Sequence, residues 1–498
     1  MSGDFREIQG TLWFHDHRFF YTAENVYKGF AALLEYFSGP DRGNERIDDG
    51  VNLRLPSGWL NQKTWGNRDF DVYLAVQDIA LDPAGQLFFD IFNTNGFLGD
   101  TMHVNYQVKP TLKVLPRKYR FRILSAGMSR WIKLAIADSL QPNARAVPVQ
   151  GIANDGNLFP HPVTVEELSI QGTAERLDII VDFSQGRDPY SQIGKKFYLV
   201  NLLEFSNGRG PDKALTLAEA LSGRSDDPAV GAILEFEVVG EVQSIDDPTV
   251  TLTVANACGA NDQSRVPDTL TEQIPIVAPV RERVVDFVRT GNADTEGGFP
   301  FDHPADSDPW AIVVNGGAAN KLDSRRVSNL IPRPGDIEHW TIRSGNGWGH
   351  PVHLHFEEGV TLNRNCKVDP RSIPPTELLQ RKDVWRVGRF SGDVQFQVTF
   401  GEFGGAYVNH CHNTVHEDNA MLLRYDNNSS TFRKAGDKVH DAGIVYLPTP
   451  DPRPEGVTYV EGCGLPEGNM TNIDLGGDEC VSGESVGPAV TSPLQDLP

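Results

Sequence analysis

Short runs of β-branched and aromatic residues recur along the chain, and segments rich in glycine, proline and aspartate separate them. Such runs, when turn formers bound them, predict β-strands, because these side chains pack well on a pleated surface. The clearest runs are 72–76, 179–183, 249–254, 311–314 and 396–400. The 48 glycines and 33 prolines supply turns between the runs. The pattern predicts an almost wholly β structure with one helix-like run at 215–221.

The distribution of these runs divides the chain into four segments. Residues 1–50 are expected to be the remnant of a truncated domain, of which 38–50 form a polar linker. Residues 51–240 and 241–447 are each long enough for a β-sandwich, which needs about a hundred residues. Residues 448–498 are rich in proline and glycine and are predicted to be an extended tail.

One short window concentrates metal-binding side chains: His410, Cys411, His412, His416 and Met421. A thiolate, two imidazoles and a weak thioether form the ligand set of blue-copper electron-transfer sites. The sequence before the window is β-rich, and alternate residues of a strand share a face. His410 and His412 are therefore predicted to face one way and Cys411 the other. This arrangement offers two metal centres on opposite sides of one strand.

Two further histidine clusters extend the pattern. His353 and His355 are predicted to share a strand face, whereas His350 faces the other way. If the two segments pair, His350 joins the cysteine side, and His353 and His355 join the histidine side. His15 and His17 form another pair on one face. The remaining histidines are isolated in the sequence: His103, His161, His303, His339 and His440.

Charge and hydropathy exclude some partners. The formal net charge of −22 disfavours nucleic acid and anionic membrane surfaces, because both carry negative charge. No stretch of about 18 apolar residues occurs, so no transmembrane helix is expected. The amino terminus shows no apolar signal-peptide core. Arg117, Lys118, Arg120 and Arg122 alternate with aromatic residues and are expected to form a solvated strand face.

Several other side chains allow two interpretations. Glu417 directly follows a candidate ligand and is either a proton relay or a hydrogen-bond acceptor that holds an imidazole. Glu357 and Glu358 either bind a cationic substrate or, as the favoured interpretation, form a solvated acidic turn. Cys463 and Cys480 are either joined by a disulfide or free thiols.

Residues 12–17, 116–126 and 174–183, together with the two downstream histidine windows, resemble motifs of the multicopper oxidases. The likeness covers nearly the whole chain and is closest to the three-domain group of bilirubin oxidases and spore-coat laccases. It implies an all-β fold of tandem cupredoxin-like Greek-key β-sandwich domains, of which the first is truncated here. It also implies a periplasmic or extracellular location.

The resemblance also implies the copper ligands. Type 1 copper is expected at His350, Cys411, His416 and Met421, type 2 copper at His353, and the type 3 pair at His15, His17, His355, His410 and His412. The family has a further HxH motif upstream, which has no counterpart in this sequence. Six of the family's eight trinuclear imidazoles are therefore present, and up to four coppers are expected only if that motif is restored.

The function implied by the resemblance is that of an oxidase. Single electrons from a phenol, a pigment or a metal ion would arrive through an exposed edge of His350 or His416. They would pass from Cys411 to His410 and His412, where dioxygen is reduced to water. The alternative is an impaired or fragmentary blue-copper electron-transfer protein, which the missing motif favours. Copper-containing nitrite reductase is disfavoured, because histidines flank the cysteine.

Overall fold

The structure is a computed structural model. It describes residues 5–61, 64–90, 93–289, 310–317, 319–320, 328, 330–344, 347–365, 373–401 and 405–427. The predicted tail at 448–498 lies outside the described residues, as do Cys463 and Cys480.

A two-stranded ribbon begins the described chain. Strand β1 (Leu12–His15) pairs antiparallel with β2 (Ala31–Leu34), and His15 lies opposite Ala31. The helix between the strands is held by a carboxylate, because Asp418 accepts hydrogen bonds from the backbone N–H groups of Thr22 and Ala23 at 3.1 and 2.8 Å. This contact satisfies two donors that a helix start leaves without partners. It also ties the ribbon to the distant histidine window.

The helices among the described residues are few and short: α1 (Thr22–Tyr27), α2 (Leu217–Leu221), α3 (Val254–Ala257) and α4 (Thr414–Asp418). Single 3₁₀ turns occur at Phe5–Ile8, Pro189–Gln192 and Gly259–Asn261. The predicted helix-like run at 215–221 contains α2, where Thr216 and Glu219 form a capping box. Within the described ranges, no helix has the length and apolar character needed to cross a membrane.

The middle domain is a sandwich of two sheets. Its strands are β3 (Asp71–Leu81), β4 (Leu87–Phe88), β5 (Thr101–Val104), β6 (Gln107–Val108), β7 (Thr111–Val114), β8 (Lys118–Ser125), β9 (Leu134–Ala137), β10 (Val149–Asn154), β11 (Asn157–Val165), β12 (Arg176–Asp182), β13 (Lys196–Asn201), β14 (Leu203–Glu204), β15 (Lys213–Ala214), β16 (Gly231–Val238), β17 (Glu241–Gln243) and β18 (Thr251–Thr253). One sheet has the order β11-β10-β12-β8-β3-β5-β6, with β4 on β3, and the other has the order β7-β16-β13-β9. Phe121, Phe183 and Phe236 pack in the core between them.

The third domain is a second sandwich. Its strands are β19 (Arg281–Arg289), β20 (Trp310–Val314), β21 (Ala319–Asn320), β22 (Ile337–Ser344), β23 (Gly349–Leu354), β24 (Gly359–Arg364), β25 (Arg381–Lys382), β26 (Val384–Gly388), β27 (Val394–Thr399), β28 (Gly405–Cys411) and β29 (Leu422–Asn427). One sheet has the order β21-β20-β19-β22-β27-β24-β25, and the other has the order β26-β23-β28-β29. Trp385 of β26 stacks on Phe396 of β27, with ring centroids 3.8 Å apart, and this contact joins the two sheets.

The first residues of the predicted third domain pack on the middle domain. The prediction places residue 241 onward in the third domain, but Leu252, Val254 and Ala257 are buried in the core of the middle domain. The predicted strand at 249–254 is the short β18, which pairs with β17 and then gives way to α3. Short apolar runs fit either neighbour, so their sequence does not identify the core that buries them.

The predicted solvated face of β8 is wrong, because its arginines pair with buried acidic side chains, two of which lie in the predicted polar linker at 38–50. The side chains of Arg117, Arg120 and Arg122 are fully buried, and only Lys118 is partly exposed. Their partners include Glu45 for Arg117 at 2.8 Å, Asp41 for Arg120 at 2.7 Å and Asp71 for Arg122 at 2.7 Å. Buried charges persist only when they are paired, so Asp41 and Glu45 of this segment contact the arginines instead of facing water.

Candidate metal centre

The pairing of β23 with β28 places the histidine windows side by side. In the antiparallel register, His353 lies opposite His410, and Val352 lies opposite Cys411. Residues directly opposite each other in such a pair project to the same face of the sheet. His353 and His410 therefore share one face, and Cys411 projects to the other. His350, an even step from Val352, joins the cysteine side, as the sequence predicts.

On the cysteine side, three ligand atoms form a compact triangle. Cys411 Sγ is 3.4 Å from His350 Nδ1 and 3.6 Å from His416 Nδ1, and the two nitrogens are 3.1 Å apart. A point equidistant from the three atoms lies about 2 Å from each, close to metal–nitrogen and metal–sulfur bond lengths in four-coordinate sites. All three side chains are fully buried. The triangle fits a single soft metal ion.

Backbone contacts bring Met421 to the same place. Its N–H donates to the His416 carbonyl at 3.0 Å, and its own carbonyl accepts from the Cys411 N–H at 3.0 Å. The Met421 side chain is fully buried in the same core cluster as Cys411. Burial raises the pKa of the Cys411 thiol, while the Asn413 N–H, 3.4 Å from Sγ, opposes that rise. A bound cation favours the thiolate in such surroundings, because a coordinating thiol loses its proton.

On the histidine side, a second triangle of ligand atoms meets. The Nε2 atoms of His17 and His355 are 3.1 Å apart, those of His355 and His410 are 3.1 Å apart, and those of His17 and His410 are 3.3 Å apart. Their common centre again lies about 2 Å from each nitrogen, which suits a metal ion. His17 comes from the amino-terminal ribbon, whereas the other two come from the third domain. The sequence-predicted clusters therefore do meet.

Glu417 lies behind this triangle. Its two carboxylate oxygens are 3.2 Å from His17 Nδ1 and 3.0 Å from His410 Nδ1, and its side chain is fully buried. A carboxylate at Nδ1 favours the tautomer that leaves the Nε2 lone pair free for a metal. Burial raises the pKa of Glu417, and His17 opposes that rise. Among the described residues, neither oxygen of Glu417 has a hydrogen-bond partner, and His410 Nδ1 lies 3.2 Å from the Cys411 carbonyl, so the contacts of Glu417 with the two rings are electrostatic and both interpretations of Glu417 stay predictions.

His15, His353 and His412 adjoin the triangle without forming a third one. The ring centroids of His15 and His412 are 4.9 Å apart, and those of His353 and His412 are 5.8 Å apart. His353 Nδ1 lies 2.9 Å from the Asp383 carbonyl, and His15 Nδ1 lies 2.6 Å from the Asp16 carbonyl. Each Nδ1 therefore donates, and each Nε2 can accept. The described residues provide only two sets of three converging ligand atoms.

Burial keeps these imidazoles neutral. It lowers the pKa of His15, His353 and His410 to about 4 and that of His416 to about 3. Neutral imidazole is the form that binds metal, because the ligand lone pair must be free of a proton. The cluster is therefore ready to take up a cation at neutral pH.

The expected exposed edge of His350 or His416 is not present, because both rings are fully buried. His416 Nε2 donates instead to the carbonyl of Asn95, at 3.0 Å, and the indole of Trp310 lies 4.1 Å from the His416 ring centroid. Asn95 belongs to the middle domain and is partly exposed. The side of His416 away from the cysteine is thus covered by another domain rather than by water.

The favoured interpretation of Glu357 and Glu358 as a solvated turn is also wrong. Glu357 is buried and accepts a hydrogen bond from the Gly401 N–H at 2.8 Å, and burial raises its pKa to about 8. Glu358 contacts Arg381 at 3.1 Å. Neither carboxylate belongs to the cysteine-side triangle. Both carboxylates are covered by residues that are distant in the sequence, Gly401 for Glu357 and Arg381 for Glu358.

Two residues that the sequence does not predict contact ligand histidines from which they are distant along the chain. Asn95 covers His416, and Asp383 accepts from His353 through its carbonyl. Each lies in a segment without a metal-binding motif, 321 and 30 residues from its histidine. Both contacts use a backbone carbonyl, which every residue possesses, so residue identity carries no signal for them.

Known proteins match both the sequence and the fold. The multicopper oxidase family profile matches residues 299–430. A bilirubin oxidase of Albifimbria verrucaria is 31% identical over 424 residues, which are 84% of this chain and 61% of that protein. A laccase of Bacillus subtilis is 26% identical over 445 residues, which are 83% of this chain and 70% of that protein.

Among solved structures, the McoA multicopper oxidase of Aquifex aeolicus superposes with a TM-score of 0.59 at 23% identity, covering 85% of this chain and 76% of that one. This likeness supports the all-β, cupredoxin-like fold. The chain spans 61% of the length of the bilirubin oxidase that it matches. The matches, the tandem sandwiches and the histidine windows on adjacent strands agree: over most of its length this chain is similar to multicopper oxidases, a family that binds copper.

Proposed function

We propose that this chain is a copper-dependent oxidase that takes single electrons from a small reducing substrate and passes them to dioxygen. The observation that carries the proposal is the placement of Cys411 between His410 and His412. The cysteine belongs to one ligand triangle, and its direct neighbour His410 belongs to the other. One strand therefore connects the two sites covalently over adjacent residues.

The cysteine-side triangle fits a type 1 copper site with His350, Cys411 and His416, and buried Met421 completes the expected set. A thiolate with two imidazoles and a weak thioether suits one-electron transfer. The protein's part is to hold the ligands in fixed positions and to exclude water, which it does by burying all four side chains. Because His416 donates to the Asn95 carbonyl, the middle domain surface around Asn95 is the proposed place where a reductant approaches.

The histidine-side cluster fits the sites at which dioxygen is reduced. His17, His355 and His410 form one three-nitrogen set of the proposed type 3 pair. His15 and His412 are assigned to the second type 3 position, and His353 to type 2. Copper bound there would supply the redox chemistry. Glu417 lies 3.2 Å from His17 Nδ1 and 3.0 Å from His410 Nδ1, and it is the proposed acidic group for proton transfer.

A phenol or a bilirubin-like pigment is the proposed class of reductant, by analogy with the names of the laccase and the bilirubin oxidase. A metal ion is a third candidate. A second function is favoured by the incomplete ligation of His15, His353 and His412, which form no third set within the described residues. In that case the chain is a blue copper-binding protein that transfers electrons without efficient oxygen reduction.

Copper counting combined with oxygen uptake separates the two functions. The chain is loaded with copper, freed of excess metal, and assayed with an easily oxidised phenol in an oxygen electrode. The variant His410→Gln is a matched comparison, because it removes one histidine-side ligand and leaves the cysteine-side triangle complete. Phenol-dependent oxygen uptake that His410→Gln abolishes supports the oxidase. A blue protein without such uptake identifies the electron-transfer function, and a colourless protein contradicts both.

A further inference from the structure

Arg176 of the middle domain contacts two segments that carry histidines of the cluster. Its Nη1 and Nη2 donate to Asp383 Oδ1 and Oδ2, both at 2.7 Å. Its Nε donates to the Thr11 carbonyl at 3.1 Å. Arg176 as a whole is 3% exposed, so these contacts are shielded from water. A planar guanidinium holds such partners at a fixed distance and angle, because its donors are rigidly placed.

Both partners of Arg176 lie one short step from a proposed ligand. Thr11 immediately precedes β1, which carries His15 and leads to His17. Asp383 accepts from His353 Nδ1 through its carbonyl, at 2.9 Å. The residue after Asp383 lies opposite His353 in the β23–β26 pair. Arg176 therefore links the two sides of the cluster, although it belongs to neither of the domains that carry the histidines.

We propose that Arg176 is a positioning residue for the histidine cluster, which sets the separation between the strand of His15 and His17 and the ring of His353. This inference rests on the proposed metal site. It assigns to the middle domain a role in the copper chemistry, although none of the cluster's imidazoles comes from that domain. Groups that orient metal ligands commonly change metal affinity about 10–100-fold when they are removed.

A neighbouring arginine provides a matched control. Arg386 of the third domain is 4% exposed; it joins the middle domain through Glu175 at 2.6 Å and contacts Glu377 within its own domain at 3.1 Å. Lys382 adds further contacts across the junction, to Asp155 at 2.8 Å and to Glu175 at 3.0 Å. Arg386→Gln therefore removes a buried ionic link of similar kind, but it leaves the contacts of Arg176 unchanged.

The experiment compares Arg176→Gln, Arg176→Lys and Arg386→Gln with the unchanged chain, in two measurements. Hydrogen exchange of the metal-free proteins reports on residues 9–18 and 380–388. Titration with Cu²⁺ reports on affinity at the histidine cluster, and the thiolate colour of the cysteine side serves as an internal reference. Arg176→Gln is expected to speed exchange in both segments and to weaken the cluster sites about 10–100-fold, with the colour retained. Arg176→Lys, which can hold only part of the contact, is expected to lie between.

Removing one charge of a buried pair can also prevent folding, so the double variant Arg176→Gln/Asp383→Asn is included, which leaves no isolated charge. It is expected to fold and to show the same weakened cluster. The inference is overturned if Arg176→Gln and Arg386→Gln weaken cluster affinity equally, or if exchange speeds up in only one of the two segments. If the unchanged chain takes up no Cu²⁺ at the cluster, the proposed function fails, while the exchange result still decides whether Arg176 holds both segments.

Discussion

At the scale of single residues, the nitrogen that each imidazole presents is set by the group behind the ring. His416 donates Nε2–H to a carbonyl and so presents Nδ1 to Cys411. His17 and His410 face the Glu417 carboxylate with Nδ1 and so present Nε2 to His355. Two kinds of site thus arise from the same residue type, because one partner on the far side fixes each tautomer.

Replacement of the cysteine tests the first of these sites. Cys411→Ser is expected to abolish the thiolate-to-copper colour completely, together with all substrate oxidation, because a hydroxyl does not replace a thiolate as ligand. Visible absorption of the copper-loaded protein is the measurement, and circular dichroism checks the fold. Cys258→Ser is the control, since Cys258 is a buried thiol in the core of the middle domain. A Cys411→Ser protein that stays blue would refute the ligand assignment.

Replacement of Glu417 tests the second site. Glutamine carries no charge, so the rings of His17 and His410 lose the carboxylate that lies 3.2 and 3.0 Å from their Nδ1 atoms. Glu417→Gln is therefore expected to lower Cu²⁺ affinity on the histidine side about 10–100-fold, while the cysteine-side colour persists. Competition with a chelator of known strength measures the change. Unaltered affinity would show that the carboxylate does not orient these rings.

At the scale of elements, β28 could be predicted from the sequence, and several of its surroundings could not. The alternation of His410, Cys411 and His412 predicts the two faces, because a strand has a strict period of two. The sequence pattern did not predict that Arg120 is buried against Asp41. A strand with charged residues on one face has the same sequence pattern whether water or a carboxylate covers that face. Long-range pairing decides that question.

The two sheets of the third domain are joined by an aromatic stack in the core that also contains Cys411. Trp385 is fully buried, stacks on Phe396 and donates its indole N–H to Thr361 Oγ1 at 3.1 Å. Trp385→Ala is expected to lower the free energy of unfolding by about 3–5 kcal/mol, because it leaves a large cavity. Phe390→Ala, at an exposed site, is expected to change it by less than about 0.5 kcal/mol. Urea unfolding of both variants is the measurement, and equal losses would contradict the assigned packing.

The turn before β22 carries a carboxyl with a pH-dependent effect on stability. Burial, and then the nearby Glu338, raise the pKa of Asp336 to about 6. The folded state therefore holds the proton more tightly than the unfolded state, so the contribution is complete in acid and is lost as the pH rises from about 4 to about 6. Between pH 4.5 and pH 7, the free energy of unfolding of Asp336→Asn is expected to rise by about 1 kcal/mol relative to that of the unchanged chain, after allowance for screening by solvent. Urea unfolding at both pH values measures this gain, and a constant difference would contradict it.

At the scale of the whole molecule, the middle domain holds the metal-binding parts together without supplying an imidazole. Asn95 covers His416, and Arg176 contacts the segments of His15 and His353. The sequence predicted the β-strands and the faces of the histidines, because spacing and facing are local properties, whereas the tandem sandwiches were implied by the family resemblance. It did not predict these supports, which depend on how separately folded units dock.

The number of copper ions that the described part of the chain can hold follows from its ligand atoms. The described residues bring together two complete sets of three, around Cys411 and around His410, and leave His15, His353 and His412 without a third convergent partner. Metal affinity depends on ligand number and on how firmly the ligands are held. The 498-residue chain is therefore expected to retain two coppers per molecule through dialysis against a mild chelator, and to lose further copper. Oxygen uptake with a phenol is expected to be slow but to depend on His410, because the remaining cluster positions hold copper weakly. Retention of four coppers with rapid oxygen uptake would contradict this expectation and would require ligands beyond the two sets.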